Sequence, residues 1–168
     1  MQDGLAALDL LVIDDNAQMR TIIGTVLAAA GVRKLHYAPN GLKGLEVLSN
    51  TSIDVIYVDY EMPVMNGLDF ITAVRSKTTS DKYTPVIMLT GHSDLKRILS
   101  ARDRGVTEFL GKPVTAKSIL ARLDTVILRP RPFISAPCYF GPDRRRKATP
   151  AYAGPLRRAT DANAVLEL

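Results

Sequence analysis

Three short runs of aliphatic residues, almost without polar interruption, constrain the fold of this chain more than any other feature. They occupy residues 10–13, 55–58 and 86–89, within the segments LDLLVI, IDVIYV and PVIMLT. A strand with one face in water alternates apolar and polar side chains, whereas a continuously apolar strand is buried on both faces. Because burial on both faces is typical of a parallel sheet covered by helices, these runs predict strands of an α/β protein.

Two further runs of strand length, KLHYA at 34–38 and TEFLG at 107–111, complete a series of five. A segment with apolar residues at helical spacing follows each run, and these segments cover roughly residues 16–30, 40–49, 66–76, 94–104 and 115–128. Asn16, Ser93 and Thr115 stand where helix N-caps belong. Five β–α units joined by right-handed crossovers predict a doubly wound (βα)5 three-layer sandwich, which binds ligands beyond the carboxyl ends of its strands.

Composition narrows the class of protein. The chain has 168 residues, of which 46% are apolar, so it can fill one core. The single cysteine excludes an internal disulfide and fits a reducing compartment. We find no apolar run near the ~18 residues of a membrane span, and the N-terminal MQDGLAALDL lacks the basic region of a secretion signal. We therefore expect a cytoplasmic protein without membrane insertion.

The composition changes after Arg129. Residues 130–168 contain six of the ten prolines and carry a net charge of +4, whereas residues 1–129 carry only +1. A segment rich in proline and charge, with little hydrophobic periodicity, is typical of a chain without a core of its own. We therefore predict one domain over residues 1–129 and an irregular Pro/Arg-rich tail over residues 130–168, flexible or ordered by a partner.

Polar side chains occupy the carboxyl ends of four predicted strands: Asp14 and Asp15 after the first, Asp59 at the end of the third, Thr90 at the end of the fourth and Lys112 after the fifth. Each has a plain structural interpretation alone, such as a solvated turn or a helix cap. In a parallel sheet, however, they share one edge. Two carboxylates ~4 Å apart repel by about 4 kcal/mol at an effective dielectric of 20. Since Mg²⁺ relieves such repulsion and prefers carboxylate and phosphate oxygens, the pattern predicts a magnesium site.

The motifs at these positions resemble those of the receiver domain of two-component response regulators. They are the DD after LLVI, the aspartate of VDYEMPVMNG, the T-G pair after PVIML and the lysine-proline of FLGKP. LLVIDDNAQMRTII and TPVIMLT are most similar to single-domain, chemotaxis-type receivers, and the likeness covers residues 8–128. The resemblance implies a parallel sheet of order 2-1-3-4-5. It also implies a signalling phosphoacceptor rather than an enzyme, beyond self-catalysed phosphorylation and dephosphorylation.

The resemblance implies which residues hold the metal and the phosphoryl group. Asp59 is the expected phosphoacceptor and a metal ligand. Asp15 is expected to bind Mg²⁺ directly and Asp14 largely through water, while Glu61 contributes its backbone carbonyl. Transfer of a phosphoryl group to a carboxylate needs positive charge on the phosphoryl oxygens and in-line positioning, which agrees with these roles.

The resemblance also implies a switch. Thr90 is expected to hydrogen-bond the phosphoryl group and Lys112 to pair with it, while Phe109 turns inward when Thr90 moves. The readout face would be the fourth helix, fifth strand and fifth helix of the β–α series. The implied partners are a sensor histidine kinase or phosphotransfer protein and a downstream protein target, with the chain a monomer or a phosphorylation-dependent dimer. The Lys112–Pro113 peptide bond is expected to be cis.

Other protein classes share parts of this pattern. A Mg²⁺-dependent aspartyl-phosphate hydrolase also uses Asp, Thr and Lys at strand ends, and Glu61 could pose as its second acid, but its nucleophile lies on the first strand. A flavin- or nucleotide-binding sandwich would need a phosphate-cradling loop after the first strand, where this chain has DDNAQ. A fused DNA-binding output domain needs a core that the proline-rich tail does not supply.

The tail concentrates arginines beside aromatic and acidic residues in YFGPDRRRK, residues 139–147. Three interpretations remain open: a solvated extension, an electrostatic arm for an acidic partner or nucleic acid, and a dinucleotide site. Nucleic acid is the partner that the sequence favours least. Some single-domain receivers with similar arginine-rich tails bind cyclic di-GMP, because arginine can pair with or stack on guanine. The candidate residues are Tyr139, Asp143, Arg144, Arg145 and Arg146.

Overall fold

The secondary structure is a β–α alternation preceded by a short helix. It comes from a computed structural model, which describes residues 2–91, 95–144 and 165–167. The helices are α1 Gln2–Ala7, α2 Ala17–Ala29, α3 Gly41–Asn50, α4 Gly67–Arg75, a 3₁₀ helix Ser80–Tyr83, α5 Leu95–Asp103 and α6 Ala116–Leu128. The strands are β1 Asp9–Ile13, β2 Lys34–Ala38, β3 Val55–Asp59, β4 Val86–Thr90, β5 Glu108–Gly111, β6 Phe133–Ala136, β7 Tyr139–Pro142 and β8 Val165–Glu167.

The first five strands form one parallel sheet in the order β2-β1-β3-β4-β5. This confirms the doubly wound sandwich that the sequence predicted and the strand order that the family resemblance implied. Strand order reverses between β1 and β3, where ligands of such sheets bind. The register keeps the carboxyl ends level, since Ile13 pairs with Val58 and Thr90 pairs with Gly111. The residues that follow β1, β3, β4 and β5 are therefore neighbours at one edge.

Two hydrophobic layers hold helices on opposite faces of the sheet. Helices α3, α4 and α5 pack on one face, where Phe70, Ile71 and Val74 of α4 are fully buried. Helices α2 and α6 pack on the other face, where Ile23 and Ile119 are fully buried. The central strands β1, β3 and β4 are covered on both sides, which explains their unbroken apolar sequences.

Most helix boundaries follow the predicted signals. The side chain of Asn16 accepts hydrogen bonds from the backbone N–H groups of Gln18 and Met19, and Thr115 forms a capping box with Ser118. The predicted cap Ser93 lies outside the described residues. The sequence did not predict α1. In the described part of the chain, we find no helix that is both long and apolar enough to cross a membrane.

The tail contains an antiparallel hairpin, residues 133–142, which the sequence did not predict. Strand β6 pairs with β7 and also with β8, in a small sheet of order β7-β6-β8. Phe133 and Phe140 project from the hairpin onto Tyr83 of the 3₁₀ helix, with ring centroids 5.4 Å from that of Tyr83. The prolines hid this element because they flank or end its strands instead of interrupting them.

A buried arginine anchors the hairpin to the domain. The guanidinium of Arg75, at the end of α4, donates hydrogen bonds to the backbone carbonyls of Gly105, Lys82 and Thr84 at 2.7–3.1 Å. Phe133 covers this group, with its ring centroid 5.1 Å from the guanidinium carbon. Burial lowers the pKa of Arg75 to about 10, so the group remains charged at neutral pH. The hairpin therefore shields a charged, hydrogen-bonded group and not only apolar surface.

Close backbone contact between two glycines determines how the hairpin docks. A Cβ atom on Gly141 would lie 2.8 Å from the Cα of Gly105. We expect Gly141→Ala to weaken hairpin docking by about 1–3 kcal/mol, because a backbone atom cannot rotate away. Faster hydrogen exchange and proteolysis across residues 133–142 would show this. Gly111→Ala is the matched control, because its Cβ would meet nothing within 4 Å; equal behaviour of the two variants would contradict the docking role.

Candidate functional site

Three carboxylates converge where β1 and β3 end. Asp14 is fully buried, Asp59 is buried, and Asp15 is exposed. One oxygen from each lies within 4.8 Å of the others. The level carboxyl ends of β1 and β3, which are neighbours in the sheet, place them together. The structure therefore brings together the three acidic residues that the sequence singled out.

Lys112 balances part of this negative charge. Its ammonium nitrogen lies 2.9 Å from Asp59 Oδ1 and 3.3 Å from Asp14 Oδ2. Burial by itself would lower the pKa of Lys112, but its hydrogen bonds and attraction to Asp59 and Asp14 outweigh burial and raise it. The lysine is therefore a fixed positive charge beside the carboxylate of Asp59. The Lys112–Pro113 bond is cis, as predicted.

The carboxyl group of Asp59 is held in an unfavourable setting. Burial raises its pKa and the nearby charge of Asp14 adds to this, while the hydrogen bonds from Lys112 and from the backbone N–H of Tyr60 oppose it. The net direction is upward. The surrounding residues therefore do not fully offset the cost of a negative charge on Asp59. Such a perturbed pKa is typical of functional sites.

This raised pKa predicts how stability depends on pH. A carboxyl group whose folded pKa exceeds its unfolded value favours folding below the unfolded pKa, and that contribution is lost as the pH rises through the folded pKa. Without Mg²⁺, we expect Asp59→Asn to be more stable than the wild type at pH 7, with the difference vanishing as the pH falls below about 4. Urea unfolding at several pH values measures the difference in the free energy of unfolding between the two proteins. A difference that persists at low pH would contradict the raised pKa of Asp59.

Two residues that the sequence did not single out support the site. The Nη1 of Arg20, on α2, donates hydrogen bonds to the backbone carbonyls of Asp14 at 2.6 Å and Asp15 at 3.2 Å. Gly67 begins α4 so close to Asp59 that a Cβ atom would lie 2.3 Å from the backbone oxygen of Asp59. The arginine that follows the DD pair by five residues and the glycine of VMNG were the sequence signals for these roles.

A small cavity of about 120 Å³ opens beside the acceptor carboxylate. It is lined by Asp59, Tyr60, Glu61, Thr90, Gly91 and Lys112. Thr90 lies on the neighbouring strand β4, as the sequence predicted, so its side chain shares this cavity with Asp59. Phe109 is half-buried and packs against the core on the side of α3, α4 and α5. The structure brings Thr90, Lys112 and Asp59 to one cavity, while Phe109 lies in the adjacent core layer.

The side chain of Glu61 does not point into the acidic cluster. It is exposed and forms an ion pair with Arg97 of α5, whose guanidinium carbon also lies 5.4 Å from the ring centroid of Tyr60. This pair links the loop after β3 to the helix beside it. The side chain of Glu61 is therefore engaged elsewhere, and only its backbone remains a candidate contact for a metal.

The loop after β3 contains a strained residue. Val64 has a φ of +70°, and the residue is 80% exposed. A β-branched side chain in this region costs roughly 1–3 kcal/mol. We expect Val64→Asn to raise the free energy of unfolding by about 1 kcal/mol and the melting temperature by about 2–4 °C, measured by circular dichroism. Val64→Ala retains a Cβ atom at the same φ and is the control; an equal gain there would contradict backbone strain.

The tail candidates divide into described and undescribed residues. The guanidinium carbon of Arg144 lies 3.8 Å from the ring centroid of Tyr139, so these two predicted residues are in contact. The backbone N–H of Asp143 donates a hydrogen bond to the carbonyl of Pro132 at 2.8 Å. Arg145 and Arg146 lie outside the described residues.

The acidic cluster fits a hard divalent cation. Oxygen ligands of one octahedral Mg²⁺, at 2.0–2.1 Å from the metal, lie roughly 3–4 Å apart. Oxygens of Asp14, Asp15 and Asp59 lie within 4.8 Å of one another. Small rotations of these side chains would therefore bring the oxygens to the spacing that Mg²⁺ requires. Exposure of Asp15 leaves room for the water ligands that Mg²⁺ retains.

Comparison with known proteins identifies the family. The family model described as "Response regulator receiver domain" matches residues 10–124. The chemotaxis protein CheY-3 of Vibrio cholerae is 31% identical over 120 residues, covering 71% of this chain and 92% of that protein. CheY1 of Helicobacter pylori is 34% identical over 119 residues, covering 70% and 95%. The crystal structure of Vibrio cholerae CheY4 superposes with a TM-score of 0.68 at 31% identity, covering 71% and 98%.

The chain belongs to the response regulator receiver family, whose members act in two-component signalling as phosphoacceptors. The matched region ends at residue 124, within α6, and therefore does not include the hairpin.

Proposed function

We propose that this chain is a stand-alone response regulator that accepts a phosphoryl group on Asp59. The observation that carries the proposal is the cluster of charged side chains at the sheet edge. The ammonium nitrogen of Lys112 lies 2.9 Å from a carboxylate oxygen of Asp59, and oxygens of Asp14, Asp15 and Asp59 lie within 4.8 Å of one another. The donor is a phosphohistidine on a sensor kinase or phosphotransfer protein. A carboxylate oxygen of Asp59 forms a bond to phosphorus as the phosphorus–nitrogen bond breaks, which leaves histidine and an acyl phosphate.

The residues of the site have distinct parts in this transfer. Asp59 supplies the nucleophile, and Lys112 neutralises charge on the transferred group. Asp14, Asp15, Asp59 and the backbone carbonyl of Glu61 would hold Mg²⁺, which when bound supplies further positive charge to the phosphoryl oxygens. Arg20 keeps the main chain of the acidic pair in place. The product carboxyl phosphate occupies the cavity that Thr90 lines.

The readout that we propose is the face formed by α5, β5 and α6. Thr90 would hydrogen-bond the phosphoryl group, and Phe109 would move into the space that Thr90 leaves. Phe109 is suited to such movement because it is half-buried at the edge of the core. The target of this face is a downstream protein in the cytoplasm. The chain itself is a monomer, or a dimer that forms on phosphorylation.

The experiment that tests this proposal is nuclear magnetic resonance with beryllofluoride, a stable phosphoryl mimic, added together with Mg²⁺. We expect the amide resonances of Thr90, Phe109 and the α5–β5–α6 face to shift, while those of β2 and α3 remain. Beryllofluoride without Mg²⁺ is the control and should leave the spectrum unchanged. Two outcomes would contradict the proposal: resonances that do not shift in either condition, and resonances that shift equally with and without Mg²⁺.

For the tail, we propose an anionic ligand, with cyclic di-GMP as the first compound to test and an acidic protein segment as the alternative. Support comes from Arg144, whose guanidinium is stacked on Tyr139 at the point where the run Arg144–Lys147 begins. Planar cations held on an aromatic ring suit planar bases and phosphates. Calorimetric titration of the full chain and of a chain ending at Arg144 tests this, because the shorter chain retains the hairpin.

Binding that requires residues after Arg144 and withstands 0.3 M salt would support a specific site. Heat that appears only at low salt, and equally with unrelated nucleotides, would indicate a general electrostatic arm. The absence of heat in both chains would reject the ligand.

A further inference from the structure

The turn that follows β1 is held by an arginine from the first turn of the next helix. Nη1 of Arg20 donates hydrogen bonds to the backbone carbonyls of Asp14 at 2.6 Å and Asp15 at 3.2 Å. These carbonyls belong to the two peptide units that flank the Cα atom of Asp15. Because one nitrogen binds both carbonyls, it fixes both peptide planes, and with them the direction in which the side chain of Asp15 leaves the backbone.

The three carboxylates of the acidic cluster differ in what holds them. Asp14 is fully buried, and its two oxygens face the backbone N–H of Asn16 at 2.8 Å and the ammonium of Lys112 at 3.3 Å. Asp59 is buried and lies 2.9 Å from Lys112. Asp15 is exposed, and no other residue in the described part of the chain hydrogen-bonds or ion-pairs with its carboxylate. The position of the Asp15 carboxylate therefore depends on its backbone, which Arg20 holds.

Positioning of a carboxylate affects small and large cations differently. Mg²⁺ demands near-ideal octahedral geometry with ligands at about 2.0–2.1 Å, whereas Ca²⁺ accepts irregular geometry with ligands at about 2.3–2.6 Å. A carboxylate held in one direction can satisfy the strict geometry of Mg²⁺. A loosely held carboxylate still reaches Ca²⁺, which tolerates variation in ligand position.

We propose that Arg20 is a positioning residue that sets the preference of the acidic cluster for Mg²⁺ over Ca²⁺. It acts through the main chain of Asp14 and Asp15 and does not itself bind the metal. This inference rests on the proposed metal binding by the cluster. A purely electrostatic role has the opposite consequence, because removal of a positive charge near three carboxylates would tighten the binding of both cations.

The test compares two variants of the full-length chain with the wild type. Arg20→Met removes both hydrogen bonds and the charge but keeps an unbranched side chain that suits a helix. Arg33→Met removes the same charge from an exposed position just before β2, at the opposite edge of the sheet. Mg²⁺ and Ca²⁺ are titrated separately into each chain, and the amide resonances around Asp59 report binding.

The expected result is a loss of selectivity in one variant alone. Substitution of a residue that orients a metal ligand typically weakens binding 10–100-fold, so we expect Arg20→Met to weaken Mg²⁺ binding about tenfold. Ca²⁺ binding should weaken by less than about threefold, because Ca²⁺ tolerates a displaced ligand. Arg33→Met should change either affinity by less than about twofold, since its charge is distant and screened by salt.

Hydrogen exchange without metal gives a second measurement. The backbone N–H of Asn16 donates to Asp14 Oδ1 within the same turn. We expect its exchange to be about tenfold faster in Arg20→Met, because the turn opens locally more often, and to be unchanged in Arg33→Met. Exchange at the wild-type rate in both variants would show that Arg20 does not hold the turn.

The outcomes separate this inference from the proposed metal site. Equal weakening of both cations in Arg20→Met would indicate a general effect and overturn the role in selectivity. Tighter binding of both cations would assign Arg20 an electrostatic role and overturn it too. Retained Mg²⁺ binding with an unchanged ratio of affinities would reject the role of Arg20 and leave the metal site standing. If the wild type binds neither cation, the metal site itself is rejected.

Discussion

Phosphorylation by acetyl phosphate with Mg²⁺ is expected to stop when Asp59 is replaced by asparagine. The amide has the shape of the carboxylate but lacks its nucleophilic oxygen anion, and an acyl phosphate cannot form on it under these conditions. We expect incorporation of labelled phosphate to fall at least about 100-fold, a loss of roughly 2.7 kcal/mol or more of transition-state stabilisation. Mass spectrometry of the intact chain measures the added phosphoryl group directly.

A second aspartate, just before the same strand, provides the control. Asp54 immediately precedes β3, is exposed, and accepts a hydrogen bond from the backbone N–H of Asp9 at 2.8 Å. Because it lies at the opposite end of β3 from Asp59, Asp54→Asn should be labelled like the wild type. Retention of the label in Asp59→Asn would assign the phosphoryl group to another side chain. Loss of the label in both variants would point to a general effect on folding.

Stabilisation by Mg²⁺ is expected to disappear in Asp15→Asn. At a Mg²⁺ concentration 100 times its dissociation constant, binding stabilises a protein by about 2.7 kcal/mol, which corresponds to roughly 5–10 °C in melting temperature for a chain of this size. Asp15 is the exposed carboxylate of the cluster, so its replacement removes a metal ligand without opening a cavity in the core. Circular dichroism melts with and without Mg²⁺ measure the shift, since the chain contains no tryptophan.

The same substitution should raise stability when Mg²⁺ is absent. Removing the charge of Asp15 relieves its repulsion with Asp14 and Asp59, whose carboxylate oxygens lie within 4.8 Å. The two effects have opposite signs, which distinguishes a metal site from a simple change in packing. Asp54→Asn should retain the Mg²⁺ shift. A Mg²⁺ shift in Asp15→Asn equal to that of the wild type would locate the cation elsewhere.

The strand pattern determined the sheet. The aliphatic runs before Asp14 and Asp59 have no polar face, so the strands that contain them must be covered on both sides. With helices between the strands, right-handed crossovers leave few arrangements, and the observed order is the one expected from the family resemblance. The meeting of Asp14, Asp15 and Asp59 was predictable for the same reason, because level carboxyl ends of parallel strands share an edge.

Contacts between distant segments were not predictable in this way. Arg20 could have been a solvated residue on α2, yet it donates to the carbonyls of the acidic pair. The resemblance assigned the backbone carbonyl of Glu61 to the metal, but it did not indicate the partner of the Glu61 side chain, Arg97, which lies 36 residues away. Such pairs depend on side-chain directions and loop conformations, which a one-dimensional pattern does not specify.

The sequence by itself determined the five-stranded sheet and the acidic residues at its edge, because both follow from local hydrophobic periodicity and from the geometry of parallel strands. Only the tertiary structure decided whether residues 130–144 are irregular or form a docked hairpin. Their prolines and charges are typical of an irregular tail, but Arg75 and Tyr83 of the domain provide a charged and aromatic surface that Phe133 and Phe140 cover. A hairpin of this length is marginal alone and is stabilised by what it packs against, and that surface is assembled only when α4 and the 3₁₀ helix come together.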